Sequence, residues 1–229
     1  CSQTREWYDD DIEFVQRIAA QFTVALQQVE YIEQLQAKTA QIEQTAVRDR
    51  AVMQIIERIR QSLNLDSIFQ TTVRELRRLM KADRVGVFKF YPNSGYDDGE
   101  FVAEDVQSGY PSAVAAKIHD HCFGNQYADK YTEGRIQAVA DIYNAGLSNC
   151  HIDVLSRFSV RANLIVPLLK GSELWGLLCI HQCGEPRHWQ DDEIEFVKRI
   201  AAQFTVALQQ VEYVEKLQAQ TDLLEQAAD

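Results

Sequence analysis

Ala162-Asn-Leu-Ile-Val-Pro-Leu-Leu169 and Glu173-Leu-Trp-Gly-Leu-Leu-Cys-Ile-His181, joined by Lys170-Gly171-Ser172, decide the fold class. Two apolar runs of strand length around a short turn with a central glycine are a β-hairpin signal. Pro167 argues against a fully central place for the first run, because proline cannot donate to a ladder. Alternation along the second run puts His181 on the same face as Trp175.

Outward from the hairpin, Arg84 to Tyr91 and Glu100 to Val106 read as strands around Pro92-Asn93-Ser94-Gly95, and Arg135 to Ala140 as a further one. The spacing predicts a helix over Ile68 to Met80, capped by Asp66 or Ser67, with Ile68, Thr72, Val73, Leu76 and Leu79 inward. Cys150 to Phe158 is also helical, with Cys150, Val154 and Phe158 on one face after the helix-start residues Ser148 and Asn149. Residues 107–135 are polar and aromatic without a period, the pattern of a ligand loop. Two helices, strands, a helix, a hairpin and a long final helix make an α+β domain with a mostly antiparallel sheet.

The segment Glu13 to Tyr31 recurs as Glu195 to Tyr213 with Lys198 for Gln16 as its one change, whereas residues 47–187 have no second copy. Residues 1–45 therefore read as the closing helix and linker of a preceding homologous domain, residues 46–188 as a complete domain core, and residues 189–229 as its closing helix and extension. In each copy the apolar residues fall in steps of four and three: Ile18, Phe22, Ala25, Val29 and Ile32, then Ile200, Phe204, Ala207, Val211 and Val214. That is a coiled-coil seam, from which a parallel homodimer through the terminal helices is expected. Residues 40–63 continue helical, with Ile55, Ile56, Ile59 and Leu63 apolar.

With 229 residues and a net charge of −11, the chain has room for one domain plus long helices and would repel a phosphate backbone, so nucleic-acid binding is not expected. No apolar run approaches bilayer length, and a cytoplasmic location is the expectation. Five cysteines without secretory features suit a reducing compartment better than a disulfide framework; Cys1 reads as incidental to the point at which the sequence was cut.

Chemistry concentrates in Asp120-His121-Cys122-Phe123 and Asn149-Cys150-His151, whose cysteines lie 28 positions apart, each beside a histidine. Cys150 falls in the first turn of a helix, where the positive end of the dipole favours thiolate. Cys122, just before Gly124-Asn125, reads as a loop residue. Zinc is poorly supported: His119 and His121 near Cys122 lack a second ligand pair at finger spacing, and Cys179 and Cys183 are about 13 Å apart along a strand.

Asp-His-Cys-Phe followed by Cys-His resembles the paired signature of the cyanobacteriochromes, GAF-domain photoreceptors that carry a linear tetrapyrrole. Within them the chain is similar to the Asp-Xaa-Cys-Phe subfamily and to phototaxis receptors of the PixJ type, over roughly residues 47–221. The resemblance implies a GAF fold and a thioether from Cys150 to ring A of phycocyanobilin or phycoviolobilin. It implies His151 packed on the rings, Asp120 accepting from the pyrrole N–H groups, and Arg135 on a propionate. It also implies Tyr127 and His181 near ring D, and a second, reversible thioether from Cys122 to the central methine. Photoisomerisation between 15Z and 15E forms would then switch blue against green absorption. The signal would pass through the helices to an output module in the same longer chain.

Two other classes compete. A cysteine-dependent enzyme using Cys150 and His151 is disfavoured, since neighbours on a helix project in different directions and no acidic partner is evident in the sequence. A non-photoactive GAF module, binding a small ligand such as a cyclic nucleotide or serving in dimerisation, would leave the two cysteines and Asp120 unexplained.

Overall fold

The computed structural model describes residues 7–62, 64–114 and 116–228, leaving Cys1 and Leu63 outside the described residues. Two units are distinguished, one through Arg50 and one from Ala51 onward. The elements are α1 (Asp9–Gln61), α2 (Leu65–Met80), β1 (Arg84–Phe90), β2 (Asp98–Val106), β3 (Ile118–His119), α3 (His121–Gln126), α4 (Ala128–Thr132), β4 (Gln137–Val139), α5 (Asn149–Arg157), β5 (Ala162–Lys170), β6 (Glu173–Gln182) and α6 (Asp191–Ala228). The six strands form one antiparallel sheet in the order β3-β2-β1-β6-β5-β4, as an α+β GAF fold requires.

Strand alternation divides the sheet into two faces. Val85, Val87, Leu164, Val166, Leu168, Leu178 and Ile180 meet Ile68, Phe69, Val73 and Leu76 of α2 and Phe196, Val197, Ile200 and Phe204 of α6 in the main core. Phe88, Phe90, Ile165, Leu177 and Cys179 point the other way, toward Phe123, Ala128 and Tyr131 of α3 and α4. Fully burying one such side chain contributes about 1.5–3 kcal/mol, so this two-sided sheet supplies much of the driving force for folding.

Local chemistry explains several departures from expectation. Helix α2 starts one turn early because the Asn64 side chain accepts from the Ser67 backbone N–H at 2.8 Å, making Asn64 the cap in place of Asp66 or Ser67. Leu79 is 38% exposed, and Phe69 and Met80 take the inward positions. Pro167 sits within β5 but beyond the short β4, whose pairing reaches only Asn163 to Ile165, so its missing N–H faces no second neighbour. A register shift between Leu168 and Leu169 turns Trp175 onto Phe69 of α2, their ring centroids 5.6 Å apart. His181 therefore lies on the face opposite Trp175, and the simple alternation fails at the bulge.

The repeated helical segment has two fates. In α6, Ile200, Phe204 and Ala207 are core residues, and the seam emerges only near Val214, which is 45% exposed. The first half of that stripe covers its own domain's sheet and is not spare for a coiled coil. In α1 the corresponding Ile18 and Phe22 are exposed, as are Val29 and Ile32.

Candidate functional site

On the sheet face away from α2 and α6, an apolar pocket is lined by Phe88, Phe90, Phe101, Phe123, Tyr131 and Phe158, with Asp120, His151, Asn163 and His181 as its principal polar groups. The glycines of β1 and β2 make room for its rings: a Cβ on Gly86 would meet Phe101 at 2.6 Å, and one on Gly99 would meet Phe88 at 2.5 Å.

The stretch expected to be a loop contains β3, α3 and α4, which are too short to show a period. Asp120 is the N-cap of α3: its Oδ1 accepts from the Phe123 N–H at 3.0 Å, which places Cys122 in a helical turn and not in a loop. Its Oδ2 accepts from His151 Nδ1 at 2.5 Å, with both side chains largely buried. The acidic partner that the sequence did not reveal for His151 is therefore Asp120, 31 positions away. Tyr127 packs its ring 5.3 Å from that of His151, and its Oη accepts from the Ser148 N–H at 3.2 Å. Ser148 is the N-cap of α5 without a side-chain capping bond, and Cys150 follows in the first turn.

Cys122 and Cys150 meet across these two helices with their sulfurs in contact, their Cα atoms 6.2 Å apart, a separation that a disulfide can span. His119 and His121 pair with Asp98 and Asp97 at 2.7 and 3.0 Å, and among the described residues no group of three His, Cys, Asp or Glu is arranged for a metal.

His181 and Asn163 face each other across β6 and β5. Both are buried, and His181 Nδ1 and Asn163 Oδ1 have no hydrogen-bond partner among the described residues. Burial drives the His181 pKa down to about 3, reinforced by the charge of Arg84, so the ring is neutral. Arg84 itself is fully buried; it donates to Glu104 Oε1 at 2.8 Å and to the carbonyls of Phe158 (2.9 Å) and Pro111, tying β1 to β2, to the pocket-lining Phe158 and to the segment at Pro111. Arg135 is exposed and lines a separate cleft with Gln137, Asp141 and His188, outside the aromatic pocket.

Sequence reasoning missed Asn163, Arg84 and Glu104. Asn163 shares the parity of Ile165 in β5, so alternation alone could have put it on the ligand face; nothing in the sequence marked the buried ion pair.

A six-stranded antiparallel sheet with helices on both faces and a pocket between the sheet and short helices defines a GAF domain, and the GAF domain family model matches residues 64–208. The chain belongs to that family. Among solved structures it is similar to the blue-light absorbing form of the PixJ GAF domain from Thermosynechococcus elongatus (40% identity, 68% of this chain and 91% of that one, TM-score 0.63). It is also similar to the phycocyanobilin-bound GAF domain of a cyanobacterial phytochrome (27% identity, 72% and 96%, TM-score 0.65). A Synechocystis sp. protein, named as a candidate methyl-accepting chemotaxis protein, is 34% identical over 91% of this chain, which spans only 20% of that protein's length. The circadian input-output histidine kinase CikA of the same organism is 30% identical over 77% of this chain and 26% of its own. Among the described residues no helix is long and apolar enough to cross a membrane.

Proposed function

We propose that this chain is the photosensory domain of a longer receptor, holding a linear tetrapyrrole through Cys150 and switching reversibly between two light-absorbing forms. The observation that carries this reading is that Asp120 and His151 line one aromatic pocket bonded to each other, with Cys122 and Cys150 two and one positions from them on the same short helices. Similarity to a blue-light absorbing GAF domain and to a phycocyanobilin-bound one supports it. The residues fit such a pigment: aromatic rings suit its planar conjugated body, and the partnerless atoms of His181 and Asn163 suit a ligand that brings its own donor and acceptor.

When bound, the bilin supplies light absorption and a 15Z/15E isomerisation. Cys150 provides the sulfur of the ring A thioether, and His151, its Nδ1–H committed to Asp120, offers its ring face to the pocket. Asp120 keeps lone pairs beyond those used by Phe123 and His151 and accepts from the pyrrole N–H groups, stabilising a positively charged ring system. His181, neutral within the pocket lining, and Tyr127, packed on His151, would border ring D. Arg135, from its exposed position, would hold a propionate only if that group reached out of the pocket. Cys122 would supply a second, reversible sulfur for the central methine, and a bond there would shorten the conjugation, so blue absorption is expected with Cys122 attached and green with it released. Phycocyanobilin and phycoviolobilin both meet these requirements.

In this reading residues 1–45 close a preceding domain, residues 46–188 hold the pigment, and residues 189–229 carry the signal onward. The full receptor is a dimer through its terminal helices, acts in phototaxis, and presents this domain to the cytoplasm. A cyclic nucleotide is the weaker alternative: the pocket lining contributes Asp97 and Asp120 but no lysine or arginine among the described residues, the wrong charge for a phosphate. The test is the absorption spectrum of bilin-loaded protein before and after violet-blue light, in the parent and in Cys122→Ala. The reading expects the mutant to lose only the blue form; a mutant that switches like the parent would remove Cys122 from the mechanism.

A further inference from the structure

The two thiols that the proposed function needs free face each other with their sulfurs in contact, and that pairing has support apart from the sulfurs. Helices α3 and α5 are pinned together by the 2.5 Å bond from His151 to Asp120 and the 3.2 Å bond from the Ser148 N–H to Tyr127. These contacts lie within a few residues of Cys122 on one side and Cys150 on the other, so the fold presents the thiols to each other at high effective concentration. Their Cα separation of 6.2 Å falls within the span of roughly 4.4–6.8 Å that disulfides occupy. Cys150 is exposed and Cys122 half-buried, within reach of a small reagent. Cys179 and Cys183 are buried, and desolvation pushes their thiols up to about 12 and about 11, so an oxidant selects against them.

We propose that Cys122 and Cys150 form a reversible redox couple that gates pigment attachment: the dithiol accepts a bilin and the disulfide does not. This rests on the photosensory reading above. The oxidant is a low-molecular-weight disulfide of the glutathione type. One cysteine thiolate attacks it, forming a mixed disulfide and expelling one small thiolate; the second cysteine thiolate attacks the protein sulfur of that mixed disulfide and expels the other. Two electrons pass from the protein to the small disulfide, and the two thiol protons leave with the two small thiols. A reducing thiol reverses both steps. In the oxidised form no sulfur is available to ring A, and once Cys150 carries a thioether the couple can no longer close, so attachment commits the domain.

The experiment equilibrates the pigment-free chain in oxidised or reduced glutathione, removes the buffer, and measures intact mass and thiol alkylation. Phycocyanobilin is then added, and covalent attachment is read from the absorbance of the denatured protein. The expected oxidised product is about 2 Da lighter with two fewer alkylatable thiols, a change absent from Cys122→Ala, and it attaches bilin at least about tenfold more slowly until dithiothreitol restores the rate. The gate is overturned if the thiols stay alkylatable in oxidised glutathione, or if the disulfide form attaches bilin at the reduced rate. If the fully reduced protein takes no bilin, the photosensory reading itself fails and the gate with it, whereas the mass change measures the couple by itself and so separates the two failures.

Discussion

Asp120 Oδ2 accepts a 2.5 Å hydrogen bond from His151 Nδ1, while Asp120 Oδ1 caps α3. One carboxylate thereby fixes both segments that carry the reactive cysteines. Asp120→Asn keeps a competent helix cap but loses the charge-assisted bond, at an expected cost of about 1–3 kcal/mol by urea unfolding. Asp120→Ala loses the cap as well and costs about 1 kcal/mol more. In the pigment-loaded protein, Asp120→Asn removes the negative partner of the ring system, and a pH titration of the long-wavelength band is expected to find its apparent pKa lower by a unit or more. An unmoved titration would exclude Asp120 from contact with the ring nitrogens.

Phe22 and Phe204 occupy equivalent positions in the two copies of the repeated segment, yet Phe204 is fully buried and Phe22 is 65% exposed. Phe204→Ala opens a cavity beside Phe69 and is expected to cost about 3–5 kcal/mol. Phe22→Ala is expected to leave the stability of the pigment domain within about 0.5 kcal/mol of the parent. Equal losses in denaturant melts would contradict the assignment of the first copy to a different domain.

Arg84 and Glu104 form a buried ion pair, with side chains 0% and 2% exposed. Glu104 also accepts from Ser112 Oγ and the Ala113 N–H, so removing Arg84 strands a buried carboxylate in a network it cannot leave. Arg84→Met is expected to cost about 3–5 kcal/mol, and adding Glu104→Gln to recover part of it. A single-mutant loss below about 1 kcal/mol in urea melts would mean that the pair does not brace the pocket.

His181 supplies an acid-side pH dependence. Its folded pKa of about 3 lies below the ordinary histidine value of 6.5, so between those values the unfolded chain binds the extra proton. Its contribution is therefore complete above pH 6.5 and is lost as pH falls toward 3, with a limiting slope of about 1.4 kcal/mol per pH unit. His181→Gln should flatten that slope; an unchanged slope in urea melts between pH 6 and about 4 would show that histidine burial does not set it.

Much of the sheet was legible because hydrophobic alternation and turn chemistry agree: the hairpin around Lys170-Gly171-Ser172 forms β5 and β6 almost to the residue. The bulge that turns Trp175 away from the His181 face was not legible, since one extra residue inverts parity without altering composition. In the segment 107–135, α3 and α4 have six and five residues, too few for a helical period. The contact between Asp120 and His151 depends on how those short helices dock. The motif brought Cys122 and Cys150 to notice, but only the packing of α3 on α5 puts their sulfurs together.

The most direct test is mass spectrometry of proteolytic peptides after the reduced protein has been incubated with phycocyanobilin in the dark. The account predicts a bilin mass on the peptide containing Cys150, retained after denaturation and absent from Cys150→Ala. Attachment at another cysteine, or none under conditions in which both thiols are shown to be free, would contradict it.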